Sequence, residues 1–154
     1  MIKYRIANID DVNILAKLRS IFLMEANDVA SETERNEVEI AIKQYFETAL
    51  GNDTFVAWLA LDDDNVIATS GLSFSVVPPS FKCLDGKVAY IMNMYTIPEY
   101  RKQGIGTELL KMIVDEAKNR GYARITLHAT DVGRPLYEKY GFKDSPGYMV
   151  LNVD

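Results

Sequence analysis

A mixed α/β (α+β) fold is what this chain predicts, and three observations predict it. Apolar residues recur at helical spacing in four stretches. Short runs of β-forming residues stand between and around those stretches, giving the order β-α-α-β-β-β-α-β-α-β. A hairpin signal at the centre places several strands antiparallel, so one mixed sheet with helices on both faces follows. At 154 residues, the chain is expected to form a single domain over residues 1–154 and to bury roughly two thirds of its unfolded surface.

Taken in order, "IKYRIA" at 2–7 reads as a strand. Asp10 or Asp11 can cap the helix that follows, whose stripe is Ile14, Leu15, Leu18, Phe22 and Leu23. A second helix is predicted over 33–49 through Val38, Ile42, Tyr45, Phe46 and Ala49. Glu32, Glu34, Glu37 and Glu39 are weighted to its start, and Gly51 and Asn52 end it. "DTFVAWLALDDDNVIATSGLSFSV" is two β runs about the turn "DDDN", and "VPPSFKCLDG" is a loop leading to a run at 87–97 that Pro98 ends. A helix over about 104–120 has the stripe Ile105, Leu109, Ile113 and Ala117 and stops at Gly121. "ARITLHA" is a strand, about 132–140 a short helix stopped by Gly141, and "GYMVLNV" at 147–153 a last strand.

Composition excludes several function classes. There is no run of apolar residues long enough to span a bilayer, and "MIKYRIANID" lacks the unbroken apolar block of a signal peptide. With Cys83 the only cysteine, a reducing, cytoplasmic location is expected. The net charge of −5 argues against nucleic acid and membrane surfaces as partners. The charge is unevenly placed, however: residues 1–100 carry 8 Lys and Arg against 15 Asp and Glu, residues 101–154 carry 9 against 7. That split suits an anionic ligand on the C-terminal third and a cationic one elsewhere, although solvated surface charge produces the same pattern. No metal site is expected, and a homodimer is compatible with a chain of this kind.

The stretch "RKQGIGTELL" at 101–110 is the most informative. The first N–H groups of a helix lack internal partners and the helix dipole adds partial positive charge, which suits phosphate oxygens. Gly104 and Gly106 let a ligand approach with no Cβ in the way, and Arg101 and Lys102 add charge. A pyrophosphate is the natural guest, with a plain tight turn as the alternative. A dinucleotide fingerprint needs a third glycine where Leu109 stands, and a Walker loop needs a Gly-Lys-Ser/Thr that is absent.

"NMYTIPEYRKQGIGTELL", followed about thirty residues later by "GRPLYEKYGF", resembles the GNAT superfamily of N-acetyltransferases. That resemblance implies a GNAT-like domain, a mostly antiparallel sheet splayed between its fourth and fifth strands, and acetyl-coenzyme A as cosubstrate. It further implies that the pantetheine arm lies along Met94, Tyr95 and Thr96, and that the pyrophosphate sits on Arg101, Lys102, Gln103, Gly104, Ile105, Gly106 and Thr107. The strand carrying Met94 is bulged in the family, and main-chain N–H groups there hold the thioester carbonyl, the Met94 N–H being our choice.

Acetyl transfer to an amine needs a neutral amine, a stabilised oxyanion and a proton for the departing thiolate. Tyr137 stands where the family commonly places the proton-donating tyrosine. His128, the only histidine, and Glu25, at the end of the first helix, are candidates for the base. A hydrogen-bonded structural histidine, a glutamate that binds a cationic substrate and a water relay are the alternatives. The chain departs from the commonest family pattern at Thr130, often Asn, and at "GRP", 133–135, where Arg134 is available to a carboxylate or phosphate. The expected activity is an acyltransferase moving acetyl to a small-molecule or protein amine. A non-enzymatic acyl-coenzyme A sensor is the alternative.

Overall fold

The first strand, β1 (Ile2–Ile6), pairs antiparallel with β3 (Trp58–Asp62), in the register from Ile2↔Asp62 to Ile6↔Trp58. This is a computed structural model, and it describes residues 1–26 and 30–153. Helix α1 (Val12–Glu25) follows a 3-10 turn at Ile9–Asp11. The capping differs from expectation. Asp11 holds the N-cap position of α1 but makes no side-chain cap bond there. Its carboxylate instead accepts from the Asn8 N–H at 2.8 Å and from both terminal nitrogens of Arg5 at 2.8 and 2.9 Å, while Asn8 Oδ1 accepts from the Asp10 N–H. Asn8 and Asp11 thus form a capping box on the turn, and the bidentate Arg5 guanidinium holds the same carboxylate there. The Arg5 bond holds the Asp11 carboxyl below its usual range.

Helix α2 (Glu32–Gly51) begins at Ser31, whose Oγ accepts from the Glu34 N–H at 3.1 Å. Ile42, Phe46 and Ala49 are buried, whereas Val38 of the expected stripe is exposed, so the first turns of α2 stand off the core. Strands β2 (Phe55–Val56) and β4 (Asn65–Val76) pair antiparallel, and β3 and β4 make the hairpin around "DDDN", Asp63 taking φ 53° in the turn. Strand β5 (Lys87–Thr96) extends the antiparallel set. Helix α3 (Ile105–Asn119) then crosses over to β6 (Arg124–Leu127), which lies parallel to β5, and α4 (Arg134–Tyr140) follows. The strand order is β1-β3-β4-β5-β6 with β2 beside β4.

Each face of the sheet has its own core. Leu15, Ala16, Phe46, Phe55 and Leu59 close the α1/α2 side. Leu110, Ile113, Val114 and Tyr137 pack against Leu72, Ala89 and Ile91 on the α3/α4 side. The continuous buried stripe of α3, from Ile105 to Ala117, fixes that helix firmly to the sheet.

The strand expected at 147–153 does not form; residues 142–153 carry no regular element. Alternating apolar residues supply two faces, but a strand also needs a partner edge. Asp144 is drawn back to Arg134 at 2.8 Å and the Tyr148 ring lies 4.8 Å from that of His128, just past the end of β6. From there, among the described residues, the segment pairs with no strand.

Candidate active site

Strand β5 outruns its neighbour. Its pairing with β6 runs from Val88↔Arg124 to Ile91↔Leu127 and ends there, while β5 continues to Thr96. Among the described residues, 92–96 therefore have backbone on the β6 side with no strand to meet it, which is the splay the resemblance implies, its fourth and fifth strands being β5 and β6 because Phe55–Val56 forms a separate β2. Across the other edge the register slips: Thr69 pairs Tyr95 and Gly71 pairs Met92, so Ser70 faces both Asn93 and Met94. This is a bulge, and Asn93 takes it up at φ 61°. Asn93 is 2% exposed, its Nδ2 donates to Thr69 Oγ1 at 3.4 Å, and its Oδ1 has no partner among the described residues.

Beyond Thr96 the chain turns through a 3-10 turn at Pro98–Tyr100 into Gly104, the N-cap of α3 at φ 82°. A Cβ on Gly104 would meet nothing within 4 Å, and one on Gly106 would meet only Leu136 Cδ2 at 3.6 Å. The first helical bond runs from the Glu108 N–H to the Gly104 carbonyl, leaving the N–H groups of Ile105, Gly106 and Thr107 without helical acceptors. A bare backbone, open space and three free amides make a fitting cradle for an anion.

These parts open onto one cleft of about 770 Å³. Met94, Tyr95, Thr96, Arg101, Lys102, Gly104, Ile105, Gly106, Thr107, Glu25, His128 and Tyr137 all line it. Gln103 does not; its Nε2 donates to the Glu99 carbonyl at 3.4 Å. The Arg101 guanidinium is turned away from the turn's amides. It donates to the Thr96 carbonyl and to Glu25 Oε2, both at 2.8 Å, and lies over the Tyr95 ring. The Tyr95 hydroxyl donates to Glu25 Oε1 at 3.0 Å, so Glu25 ties the end of α1 to the glycine turn. Burial, then Glu25, push the Tyr95 phenol up. Lys102 makes no ion pair among the described residues, which leaves its charge to the cleft.

On the opposite wall Tyr137 is 9% exposed, set on α4 against Phe142 at a ring separation of 6.0 Å. Burial, with a smaller contribution from Tyr90, pushes its phenol up to about 12. It is therefore a neutral O–H across the physiological range. Thr130 Oγ1 accepts from the Gly133 N–H at 3.1 Å and so shapes the turn into α4, while Arg134 is paired with Asp144. His128 is exposed, with its Nδ1 2.8 Å from the Tyr90 hydroxyl.

Tyr90 and Asn93 are absent from the sequence reading. Tyr90 pairs with a residue 38 positions away through the register of two parallel strands, which no local pattern displays. Asn93 had one signal, since Asn is among the few residues that tolerate positive φ.

A family model described as the acetyltransferase (GNAT) family matches residues 17–142. The chain belongs to the GNAT acetyltransferase family. Among solved structures, a predicted acetyltransferase from Clostridium acetobutylicum, crystallised with acetyl-CoA, is 35% identical at a TM-score of 0.92, covering 99% of this chain and 96% of that one. A GCN5-related N-acetyltransferase from Ralstonia eutropha JMP134 is 25% identical at a TM-score of 0.91, covering 99% of each. Among curated GNAT relatives, the thialysine N-epsilon-acetyltransferase of Mus musculus is 33% identical over 57 residues, 37% of this chain and 34% of that protein. The uncharacterized N-acetyltransferase YhfO of Bacillus subtilis is 32% identical over 88 residues, 53% and 59% respectively. The matched region thus spans between about a third and three fifths of these curated relatives. Among the described residues no helix is long and apolar enough to cross a membrane.

Proposed function

We propose that this GNAT-family chain is an N-acetyltransferase that moves an acetyl group from acetyl-coenzyme A to a primary amine of a small molecule or protein. The observation that carries the reading is the continuity of one surface. The edge of β5 left unpaired beyond Ile91 leads directly into the open cradle at Gly104–Thr107, with the Tyr137 phenol on the facing wall. An elongated, partly amide-like arm ending in phosphates matches that surface: the strand edge supplies main-chain donors and acceptors, and the helix start supplies N–H groups. The similarity to the acetyl-CoA-bound Clostridium structure over almost the whole chain supports the same guest.

Acetyl-coenzyme A brings the activated acyl group as a thioester, and the residues of this chain bind and orient it. In a two-against-one bulge one amide is left out of the ladder, and we assign the Met94 N–H to the acyl carbonyl oxygen. Tyr137 holds a proton that burial keeps on the phenol well above neutral pH, and it donates that proton to the departing sulfur. Of the two candidate bases, Glu25 has both carboxylate oxygens engaged, one by the Tyr95 hydroxyl and the other by the Arg101 guanidinium, and we give it a positioning role. His128, positioned by Tyr90, is the better base. In this reading Glu25 organises Tyr95 and Arg101 at the mouth of the cleft.

Incubation of the protein with acetyl-coenzyme A and a panel of primary amines, with free thiol measured, tests the activity. Tight coenzyme binding without turnover across a broad panel would favour the sensor reading.

A further inference from the structure

The cleft holds a cation that neither the coenzyme cradle nor the proton transfers use. On α1 the row that buries Leu15 in the α1/α2 core continues at Arg19 and then at Phe22, steps of four and three that keep all three on one helix face. That face meets β5, since the Phe22 ring stands edge-on to Tyr95 at 6.2 Å. Arg19 therefore occupies a place where the stripe would otherwise carry an apolar residue, and it lines the cleft half-buried. Its charge is felt by Tyr45 on α2 and Tyr90 on β5. Burial pushes both phenols up, and Arg19 works against that rise.

No carboxylate of the protein answers this charge. Among the described residues Arg19 makes no ion pair. Glu25, the acidic side chain among the described residues that line the cleft, is already held by Tyr95 and Arg101. The coenzyme phosphates do not answer it either. Their cradle lies beyond Thr96, whereas Tyr90 stands six residues earlier on β5, roughly 15–20 Å at strand rise. A guanidinium drawn partly out of water is costly without a partner, and a ligand that brings the opposite charge recovers the cost.

We propose that Arg19 receives a carboxylate of the acceptor, so that the substrate is a small amine carrying a carboxylate on the same molecule, an amino acid or a close relative of one. The inference rests on the transferase reading and narrows it. Tyr90 joins the two ends of such a molecule, because its hydroxyl lies 2.8 Å from Nδ1 of His128, the base, and its ring stands beside Arg19. An amine at His128 and a carboxylate at Arg19 thus flank the same tyrosine, which suits a short molecule. The charge fits as well. One guanidinium meets a carboxylate with two parallel N–H···O bonds and balances its single charge. A phosphate monoester brings nearly two charges, and a diamine brings a second cation toward Arg19.

The test is the free-thiol assay with the common amino acids, each beside its carboxamide, and with a diamine and an amino-sugar phosphate, on wild type, Arg19→Met and Arg19→Lys. In wild type the favoured amino acid should exceed its carboxamide in kcat/KM by about 10- to 100-fold. In Arg19→Met, folded by circular dichroism, that ratio should fall to within about threefold of unity, with the loss in KM, and Arg19→Lys should recover part of it. A ratio near unity in wild type overturns the proposal, as does a ratio that folded Arg19→Met retains, or a preference for the diamine or the phosphate. The wild-type comparison needs no variant, so it decides even where Arg19→Met does not fold. Absence of turnover with every amine strikes the transferase reading instead, and calorimetry then judges the site by itself. The same amino acids and carboxamides are titrated into protein saturated with coenzyme A. Binding of an amino acid that its carboxamide fails to match and that Arg19→Met loses supports the carboxylate site; no such difference overturns it.

Discussion

Replacing Gly106 with glutamate separates binding from stability in this protein, because the two respond with opposite sign. Gly106 is the second residue of α3, in ordinary helical conformation, and an added Cβ makes only van der Waals contact with Leu136 at 3.6 Å. Gly106→Ala should therefore stabilise by about 0.4–1 kcal/mol through the unfolded chain, a rise in Tm of about 1–4 °C for a domain of this size. Gly106→Glu keeps that gain and adds a carboxylate at a helix start, where the dipole favours it by about 0.3–1 kcal/mol. Toward a pyrophosphate in the cradle the same carboxylate is a like charge a few ångströms away. At about 4 Å the repulsion is roughly 1 kcal/mol in a water-like medium and about 4 kcal/mol at an effective dielectric of 20. The expected loss of acetyl-coenzyme A affinity is therefore about 5-fold to 10³-fold, with Gly106→Ala within a few-fold of wild type. Gly104→Ala should behave differently again, since φ 82° costs a non-glycine residue about 1 kcal/mol. Titration calorimetry and thermal melts on the three variants measure both quantities. A folded Gly106→Glu protein with wild-type affinity would place the phosphates elsewhere and refute the cradle.

Tyr137→Phe should lower kcat about 10²- to 10⁴-fold with coenzyme affinity little changed; turnover within about threefold of wild type, with chemistry rate-limiting, removes the tyrosine from catalysis. The same residue should report in stability at high pH. Its folded pKa, about 12, lies above the unfolded value of about 10, so its contribution is complete below pH 10 and is lost as pH rises toward 12. Urea melts of wild type and Tyr137→Phe should keep a constant difference up to about pH 10, above which wild type should lose stability relative to the variant. Asp11→Asn should cost about 1–2 kcal/mol near neutral pH, a buried-pair figure reduced for the half-exposed Arg5. Because the Asp11 carboxyl is depressed, that cost should vanish as pH falls below about 4, and a cost that persists there would mean packing rather than charge is responsible. At the bulge, Asn93→Gly should fold near-normally, whereas Asn93→Val, forced to φ 61°, should lose about 1–3 kcal/mol in chemical denaturation.

Much of this architecture was legible because its signals are local. The stripe of α3 and the turn at Gly104 need only residues within one or two turns of each other, and both stand where periodicity and the glycines put them. The "DDDN" hairpin is equally local. What escaped depends on partners distant in sequence. The alternation at 147–153 describes a segment ready to pair, but says nothing of whether an edge lies beside it. The bulge at Met94 was implied only by the resemblance; its match of Ser70 with Asn93 and Met94, and the meeting of Tyr90 with His128, arise from registers set by packing on both faces of the sheet. Even the Asp11 cap was diverted by Arg5, a competitor on the preceding strand that helix-start rules do not weigh.

The parallel pair, β5 with β6, also bears on the order in which the molecule assembles. Strands β3, β4 and β5 close through short connections, whereas β6 must wait for the whole α3 crossover, and loop-closure entropy makes such a connection slower to form. The cleft lies across that seam, with Met94–Thr96 on the early side and His128 and Tyr137 on the late one. A ligand lodged there bridges the β3–β5 strands and the piece delivered by the crossover, so it should retard unfolding more than it accelerates folding, acting as a clasp across that seam.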